Sequence, residues 1–439
     1  MSESHAVQQG QPPKPFLPDY SRNAKGFIFS SGLFSIATSF ISATTVLPSF
    51  VATLTSSEVL IGLSSSLMSG GWLLPQLFIA SAVARLPHKR PLMVRAAWIS
   101  RPLLLVLALI IWLFGETAPT FTLVVTLIGV FIFSAGDAMV GLPWLDLMAR
   151  TLPQRRRGRT MGISQIVGGL GGVGAGIIVR RVLREESPWG FPANYAILFA
   201  ACGVFLLISA IAVTSIREPD SPSLTEQVPS MREVFASLPR ILLGDRPFLR
   251  LILTRLLVGF VGLATAFYVL HATRNLGFGV EAVGLFVALQ VIGLVIAGLM
   301  TSVIQDRWGP LAHIRAAIGL SILPPLLALG AAPLLGVLGK GVLYYYLLVY
   351  LFLGIYVGAS SWPFFTWIME HAPEVQRPLY IGLINTLSAV MMFASALGGV
   401  IVNVFSYQAA FITAALFAIA SYALSLSLPD TRRKPADIP

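Results

Sequence analysis

Long apolar stretches dominate this 439-residue chain and restrict it to one class of fold. Hydrophobic residues make up 56% of the sequence and charged residues only 11%, whereas a soluble globular protein carries roughly 25% charged residues. A helix needs about 20 apolar residues to cross a bilayer, and such stretches fill most of the chain. Lipid offers no partner for free backbone groups, and the stretches are too long for barrel strands, so membrane-spanning helices are predicted.

The predicted spans form two related sets of six. They are placed at residues 27–53, 59–83, 92–114, 120–143, 162–182, 193–215, 248–271, 280–304, 312–336, 342–368, 380–403 and 408–428. A shift of 220 residues carries Pro143, Pro153, Arg157 and Gly162 onto Pro363, Pro373, Arg377 and Gly382, and it carries Arg95-Ala96-Ala97 onto Arg315-Ala316-Ala317. A repeat of half the chain predicts two copies of one six-helix bundle.

The chain accordingly divides into five parts. Residues 1–26 are predicted to be a disordered N-terminal segment, 27–215 the first bundle, 216–247 a linker, 248–428 the second bundle and 429–439 a tail. The linker fits a capping box at Ser230 and Glu233, followed by apolar residues at helical spacing up to Gly244. This pattern predicts a short amphipathic helix on the membrane surface. The stretch from Phe131 to Gly176 is interpreted as the end of one helix, a basic loop and the start of another helix.

The basic residues are distributed unequally between the two sides. Of the 30 Lys and Arg residues, 23 fall on the side of the N-terminus, five fall on the other side, and Arg101 and Arg255 lie within apolar spans. By the positive-inside rule, both termini are predicted to be cytoplasmic in a multi-pass protein of the plasma or inner membrane. This distribution accounts for the net charge of +11 without nucleic acid. The single Cys202 and five scattered histidines provide no metal-ligand spacing, and no cofactor is expected.

Short motifs resemble those of the major facilitator superfamily of secondary transporters. In the RLPHKRP loop, Lys89 and Arg90 match the basic end of the family's G-x-x-x-D-R-x-G-R-K pattern, with Arg85 in place of Asp. The second copy has Asp306-Arg307-Trp308-Gly309 followed by Pro310. The segment from Asp146 to Gly162 is similar to the family's loop between helices 4 and 5. Gly162 and Gly171 follow part of the exporter pattern G-x8-G-x3-G-P, but Ala175 and Gly176 replace its Gly-Pro pair.

The resemblance implies transport rather than an enzymatic reaction. In this family two six-helix bundles rock around a central site, which helices 1, 4, 7 and 10 line, and an ion gradient or the substrate's own gradient supplies the energy. The expected partners are the bilayer, a neutral or amphiphilic small molecule, and possible coupling ions such as protons. The fourth span lacks the Arg that the family's drug antiporters carry there, which argues against proton-driven drug export. A non-transporting sensor or assembly protein on the same scaffold is the alternative, and a lipid-acting enzyme is a weaker third.

A polar face on the first span marks a candidate cavity. Ser31, Ser35, Thr38, Ser42 and Thr45 recur at intervals of three and four residues and so share one helix face. This face is either a wall of a hydrated cavity or a surface for close helix packing. The full set of cavity candidates is Ser35, Thr38, Ser42, Arg255, Gln290, Tyr356 and Trp362. Arg255 either meets an anionic substrate group or extends to the membrane surface, while Tyr356 and Trp362 either pack or line the path.

Two charges within the spans require partners. Counted inward from the N-terminal side, Arg101 and Asp137 lie at depths of roughly 13 and 9 Å, so the two side chains are within reach of one another. A charge at such depth is costly unless it faces protein or water. The pair is either a structural ion pair or an ion-coupling site in which Asp137 carries a proton. The 220-residue shift places Val357 opposite Asp137, so the carboxylate is not part of the repeated scaffold, which favours a functional role.

Charges near the N-terminal side are candidates for a gate. Networks between the two bundles would close the cytoplasmic side of the cavity, or the same charges are simply solvated. The candidates are Asp146, Arg157, Arg159, Asp306, Arg307, Glu370 and Arg377.

Overall fold

The computed structural model describes residues 19–73, 86–219, 231–360, 362–373 and 376–432. The first half contains six spans. Span 1 consists of Tyr20–Phe40 and Val46–Leu54, span 2 begins with Glu58–Gly70, and span 3 consists of Arg90–Ser100 and Leu103–Phe114. Spans 4, 5 and 6 are Pro119–Thr151, Gln154–Val182 and Ala193–Thr214.

The second half contains six more. Span 7 combines Arg246–Gly259 with the shorter turns Phe260–Ala264, Phe267–Leu270 and His271–Asn275. Spans 8 and 9 share the helix Ala282–Ser321, which bends at Gly309, and span 9 continues through Leu323–Leu338. Span 10 consists of Val342–Ala359 and Pro363–His371, span 11 of Arg377–Ser388, Ala389–Phe393 and Ala394–Val404, and span 12 of Tyr407–Ser425.

These spans make an all-helical, twelve-pass membrane fold, as the sequence predicts. Within the described residues, nine helical stretches meet length and hydropathy limits for crossing a membrane. One of them, Val303–His371, turns back at Gly339–Gly341 and therefore holds two crossings. Span 1 is split into two helices, and residues 74–85 of span 2 lie outside the described part. Neither span is among the nine.

The two halves repeat the same internal contacts. In span 6, the hydroxyl of Ser209 donates to the carbonyl of Ser30 in span 1, and in span 12 Ser421 donates likewise to Thr254 in span 7. Arg157 Nε donates to the carbonyl of Leu152, and 220 residues later Arg377 Nε donates to that of Ala372. The repeat found in the sequence therefore corresponds to equivalent positions in two pseudo-symmetric six-helix bundles.

The structure corrects two helix boundaries. Span 1 begins at Tyr20, so residues 20–26 are helical rather than part of a disordered segment. Asn23 fixes this turn by exchanging two hydrogen bonds with the backbone of Arg217, the amide donating to the carbonyl and the carbonyl accepting from the N–H. The predicted basic loop between spans 4 and 5 is also wrong. Span 4 continues to Thr151 and span 5 begins at Gln154, because a helix does not need to end where its apolar stretch ends.

The predicted linker helix is present as Met231–Gly244 and packs against spans 7 and 11. The predicted cap at Ser230 and most of the tail, from residue 433 onward, lie outside the described residues, as do residues 1–18. We call the end of the bundle that carries Lys89, Arg150 and Arg377 the basic end, and the end that carries Glu58, Arg184 and Arg274 the opposite end.

Candidate functional site

A cavity of about 900 Å³ lies between the two halves. The first half contributes spans 1, 2, 4 and 5 to its wall, and the second half contributes spans 7, 8, 10 and 11. The resemblance implies a lining of spans 1, 4, 7 and 10. The structure adds spans 2, 5, 8 and 11 to that lining. Of the predicted cavity residues, five lie in this wall: Ser35, Thr38, Ser42, Gln290 and Tyr356.

Two predicted cavity residues lie elsewhere. The Nε of Arg255 donates to Ser388 Oγ at 3.1 Å, and its guanidinium lies over the ring of Phe364, 4.9 Å from the centroid. Arg255 is thus held inside the second half rather than in the cavity lining. Trp362 is 59% exposed and precedes the second helix of span 10. It is not among the residues that line the cavity.

Asp137 and Arg101 are brought together within the first half. Their closest atoms, Arg101 Nη2 and Asp137 Oδ1, are 3.8 Å apart, and the Arg101 side chain is 3% exposed. Arg101 Nη1 donates to Ser209 Oγ at 3.1 Å, but its Nε is buried without a hydrogen-bond partner. This ion pair is longer than a charge-assisted hydrogen bond, which spans about 2.7–2.9 Å. Asp137 also lines the cavity, so its carboxylate faces both the arginine and the space between the halves.

An ion pair joins the halves at the opposite end. Glu58 at the start of span 2 accepts from Arg274 Nη1 at 2.7 Å and from Tyr407 Oη at 2.9 Å. Closer to the cavity, Thr44 Oγ1 donates to Gln290 Oε1 at 2.7 Å. The sequence analysis missed Glu58, Arg274 and Tyr407, because nothing in residue spacing pairs a charge in one bundle with a charge in the other.

Glycines allow the same two halves to approach closely. A Cβ at Gly176 in span 5 would lie 2.7 Å from the carbonyl oxygen of Gly284 in span 8. A Cβ at Gly399 in span 11 would lie 2.4 Å from the carbonyl oxygen of Glu58. Real Cβ atoms do not approach so closely, so the backbones touch where only glycine fits. Gly176 and Gly399 therefore mark close packing between the two halves.

At the basic end, the gate candidate Asp146 belongs to a charge network within the first half. Asp146 pairs with Lys89 Nζ at 2.9 Å and with Arg150 at 3.7 Å. Arg150 also binds Glu218 at 2.9 Å, and Glu218 accepts from the backbone N–H groups of Lys89 and Arg90. The sequence analysis missed Glu218, although its position just after span 6 could have been noted. This network ties spans 3, 4 and 6 together.

The remaining gate candidates lie near the surface. Arg157 and Arg377 each bond a backbone carbonyl of the preceding turn, and Arg159, Asp306 and Arg307 are exposed. Glu370 accepts from Arg432 at 3.4 Å and from Thr431, and Arg432 also donates to the carbonyl of Asp306. These contacts of Asp306 and Glu370 lie within the second half, between its helices and the segment after span 12.

Sequence comparison decides the family. The sequence model of the Major Facilitator Superfamily matches residues 2–176 and 189–396. The chain belongs to this family. It is therefore a multi-pass protein of a superfamily of small-molecule transporters, and membrane transport is its general activity. A search of curated protein sequences finds no significant match.

Solved structures of superfamily transporters share the fold. A nucleoside transporter, NupG with one substitution, is 14% identical with a TM-score of 0.68, covering 93% of this chain and all of that one. A D-xylose-proton symporter is 15% identical with a TM-score of 0.66, covering 94% and 98%. A bacterial homologue of the human lysosomal transporter Spinster, inward-facing and unoccupied, is 16% identical with a TM-score of 0.60, covering 97% and 100%.

Proposed function

We propose that this superfamily member is a secondary active transporter that works by alternating access. A small molecule binds in the cavity between the halves, and the two bundles rock so that the cavity opens to one side at a time. The observation that carries this proposal is the cavity itself, because both halves contribute equivalent spans to its wall.

The contacts at the two ends support a cavity that opens at the basic end in this conformation. At the opposite end, Glu58 and Arg274 join the two halves. At the basic end, Asp146 and Glu370 bind partners of their own half. In the alternate state we expect the Glu58–Arg274 pair to separate and charges at the basic end to meet across the halves. The distribution of Lys and Arg supports a cytoplasmic location for the basic end, and with it for both termini.

We further propose that Asp137 couples transport to protons. It is a cavity-lining carboxylate with an incompletely satisfied cationic neighbour, Arg101. Protonation of Asp137 would release it from Arg101, and deprotonation would restore the pair, so the charge in the cavity would follow the transport cycle. The proton gradient, and not a nucleotide, would then supply the energy for transport.

Flux measurements in proteoliposomes test the function. The purified full chain is reconstituted, and candidate solutes are screened with and without an imposed pH gradient. We expect saturable, protein-dependent flux of at least one solute that the gradient accelerates. Flux that ignores the gradient but remains saturable would contradict proton coupling alone, whereas the absence of protein-dependent flux for every solute class would contradict transport.

A further inference from the structure

Most hydroxyl groups around the cavity have already donated their protons within the protein. Ser39 donates to the carbonyl of Ser35, Ser134 to that of Met68, and Tyr356 to that of Val258. Ser42, Thr44 and Gln290 form a chain that ends on the Gln290 carbonyl oxygen. Further cavity hydroxyls that donate to backbone carbonyls are Thr38, Ser65, Ser164, Thr265 and Ser395.

A hydroxyl that has donated its proton offers only lone pairs to a ligand. The hydroxyl groups around the cavity therefore present mainly hydrogen-bond acceptors to a ligand. A few donors, such as the Gln290 amide, remain. A ligand that only accepts hydrogen bonds would leave these oxygens without partners, which is costly in an enclosed site. A ligand that donates hydrogen bonds would satisfy them.

Asp137 adds charge to this acceptor surface. Apart from tyrosine, Asp137 is the one ionisable residue among the described residues of the cavity wall. Arg101, its cationic neighbour, is 3.8 Å away and lies outside the cavity lining. The carboxylate oxygens therefore keep lone pairs that can accept from a cationic donor in the cavity.

The rest of the wall is apolar and aromatic. Met391, Met392 and Leu294 line the cavity from the second half. Phe34, Phe133, Trp72 and Trp144 line it from the first half. Methionine adapts its shape to different apolar groups, and aromatic faces attract cations as well as apolar rings. Met391, Met392 and Leu294 thus add an apolar surface to a cavity wall whose polar groups are mainly acceptors.

We propose that the transported solute is a protonated amine on an apolar body. Its ammonium group would donate to Asp137 and to the hydroxyl oxygens of span 1, while its apolar part would lie against Met391, Met392 and the aromatic side chains. This proposal rests on the proposed function, since it names the substrate class of the same cavity. It also narrows the expectation from the sequence, a neutral or amphiphilic solute, to an amphiphile that carries a positive charge.

Binding of three compounds with one shared body tests the proposal. The compounds are 4-phenylbutylammonium, 4-phenylbutan-1-ol and 5-phenylvalerate. Each is titrated at neutral pH into the full chain in detergent by isothermal titration calorimetry, and the heat of titration into protein-free micelles is subtracted. Because charge-assisted hydrogen bonds are stronger than neutral ones, we expect the ammonium to bind about tenfold more tightly than either other compound. In Asp137→Asn we expect the ammonium to bind no more tightly than the alcohol. Asp137→Glu and the exposed Glu116→Gln are expected to keep the preference.

The comparison of compounds on the unmodified protein does not depend on whether a variant folds. Equal binding of the alcohol, tighter binding of the carboxylate, or no binding of the ammonium would overturn the proposal. So would a folded Asp137→Asn that keeps the preference. These outcomes can be distinguished from a failure of the proposed function. If the amine preference is absent but another solute shows proton-driven flux, only the substrate class is contradicted. If no solute shows flux, the proposed function is contradicted.

Discussion

Asp137 is the residue on which proposed coupling depends. Asp137→Asn removes the ionisable group while keeping the side-chain size, so we expect a protein that folds with lower stability, because Arg101 loses its partner, and whose transport no longer responds to a pH gradient. Initial rates in proteoliposomes with and without the gradient measure this effect. Glu116→Gln, an exposed acid just before span 4, is the matched control and should respond like the unmodified protein. A gradient response that survives in folded Asp137→Asn would refute the assignment.

The Arg101–Asp137 pair leads to a second expectation at this scale. Removing one partner of a buried ion pair strands the other charge, which typically costs about 3–5 kcal/mol. We therefore expect Arg101→Gln and Asp137→Asn each to lower the stability, and the double variant to lose less stability than the sum of the two single losses. Thermal melting of the four proteins in detergent measures the difference. Additive losses would show that the two charges do not interact.

Sequence reasoning located some site residues and misplaced others. Arg101 and Asp137 were paired correctly because depth from a membrane boundary depends only on counting residues along two regular helices. Arg255 and Trp362 were misplaced because both adjoin breaks or aromatic clusters that reorient their side chains. Glu58 and Arg274 were missed because their contact joins two bundles, and a single sequence contains no information about distances between them.

At the scale of the helices, hydropathy predicts where chains cross the membrane better than where helices end. The spans were placed within a few residues at most apolar boundaries. Spans 4 and 5 extend beyond them to Thr151 and back to Gln154, since polar residues also form helices once they leave the lipid. The break in span 1 at residues 41–45 was also missed, because Ser and Thr conceal a local unwinding that their own hydrogen bonds satisfy.

The interface between spans 5 and 8 supports a prediction with an internal control. Gly176→Val would force side-chain atoms into the backbone of span 8, whereas a Cβ at Gly174, two residues earlier, meets nothing within 4 Å. We expect Gly176→Val to lose about 1–3 kcal/mol of stability, as overpacked interfaces do, and to transport more slowly. Gly174→Val should behave like the unmodified protein. Melting temperatures and fluxes of the two variants compare them, and equal behaviour would contradict the close packing.

At the scale of the whole molecule, the repeat predicts two equivalent bundles, but it does not give their relative position. That position depends on contacts such as Glu58 with Arg274, which are unrelated by the repeat. Glu58→Gln weakens this pair, so we expect the population to shift toward the state open at the opposite end. Labelling rates of a cysteine introduced in the cavity at Ser42, measured from the opposite side, should rise. An unchanged rate would argue against a gating role for the pair.

Alternating access itself is tested most directly by distances at both ends of one protein. Spin labels are attached at the exposed positions Ser56 and Phe405 of the opposite end, or at Gly158 and Met369 of the basic end, after Cys202→Ala. Double electron–electron resonance then measures the distance between the two labels of each pair, with Glu58 present and in Glu58→Gln. We expect the opposite-end distance to lengthen and the basic-end distance to shorten together. Distances that remain fixed, or that lengthen at both ends, would contradict a rocking movement of two bundles around a shared cavity.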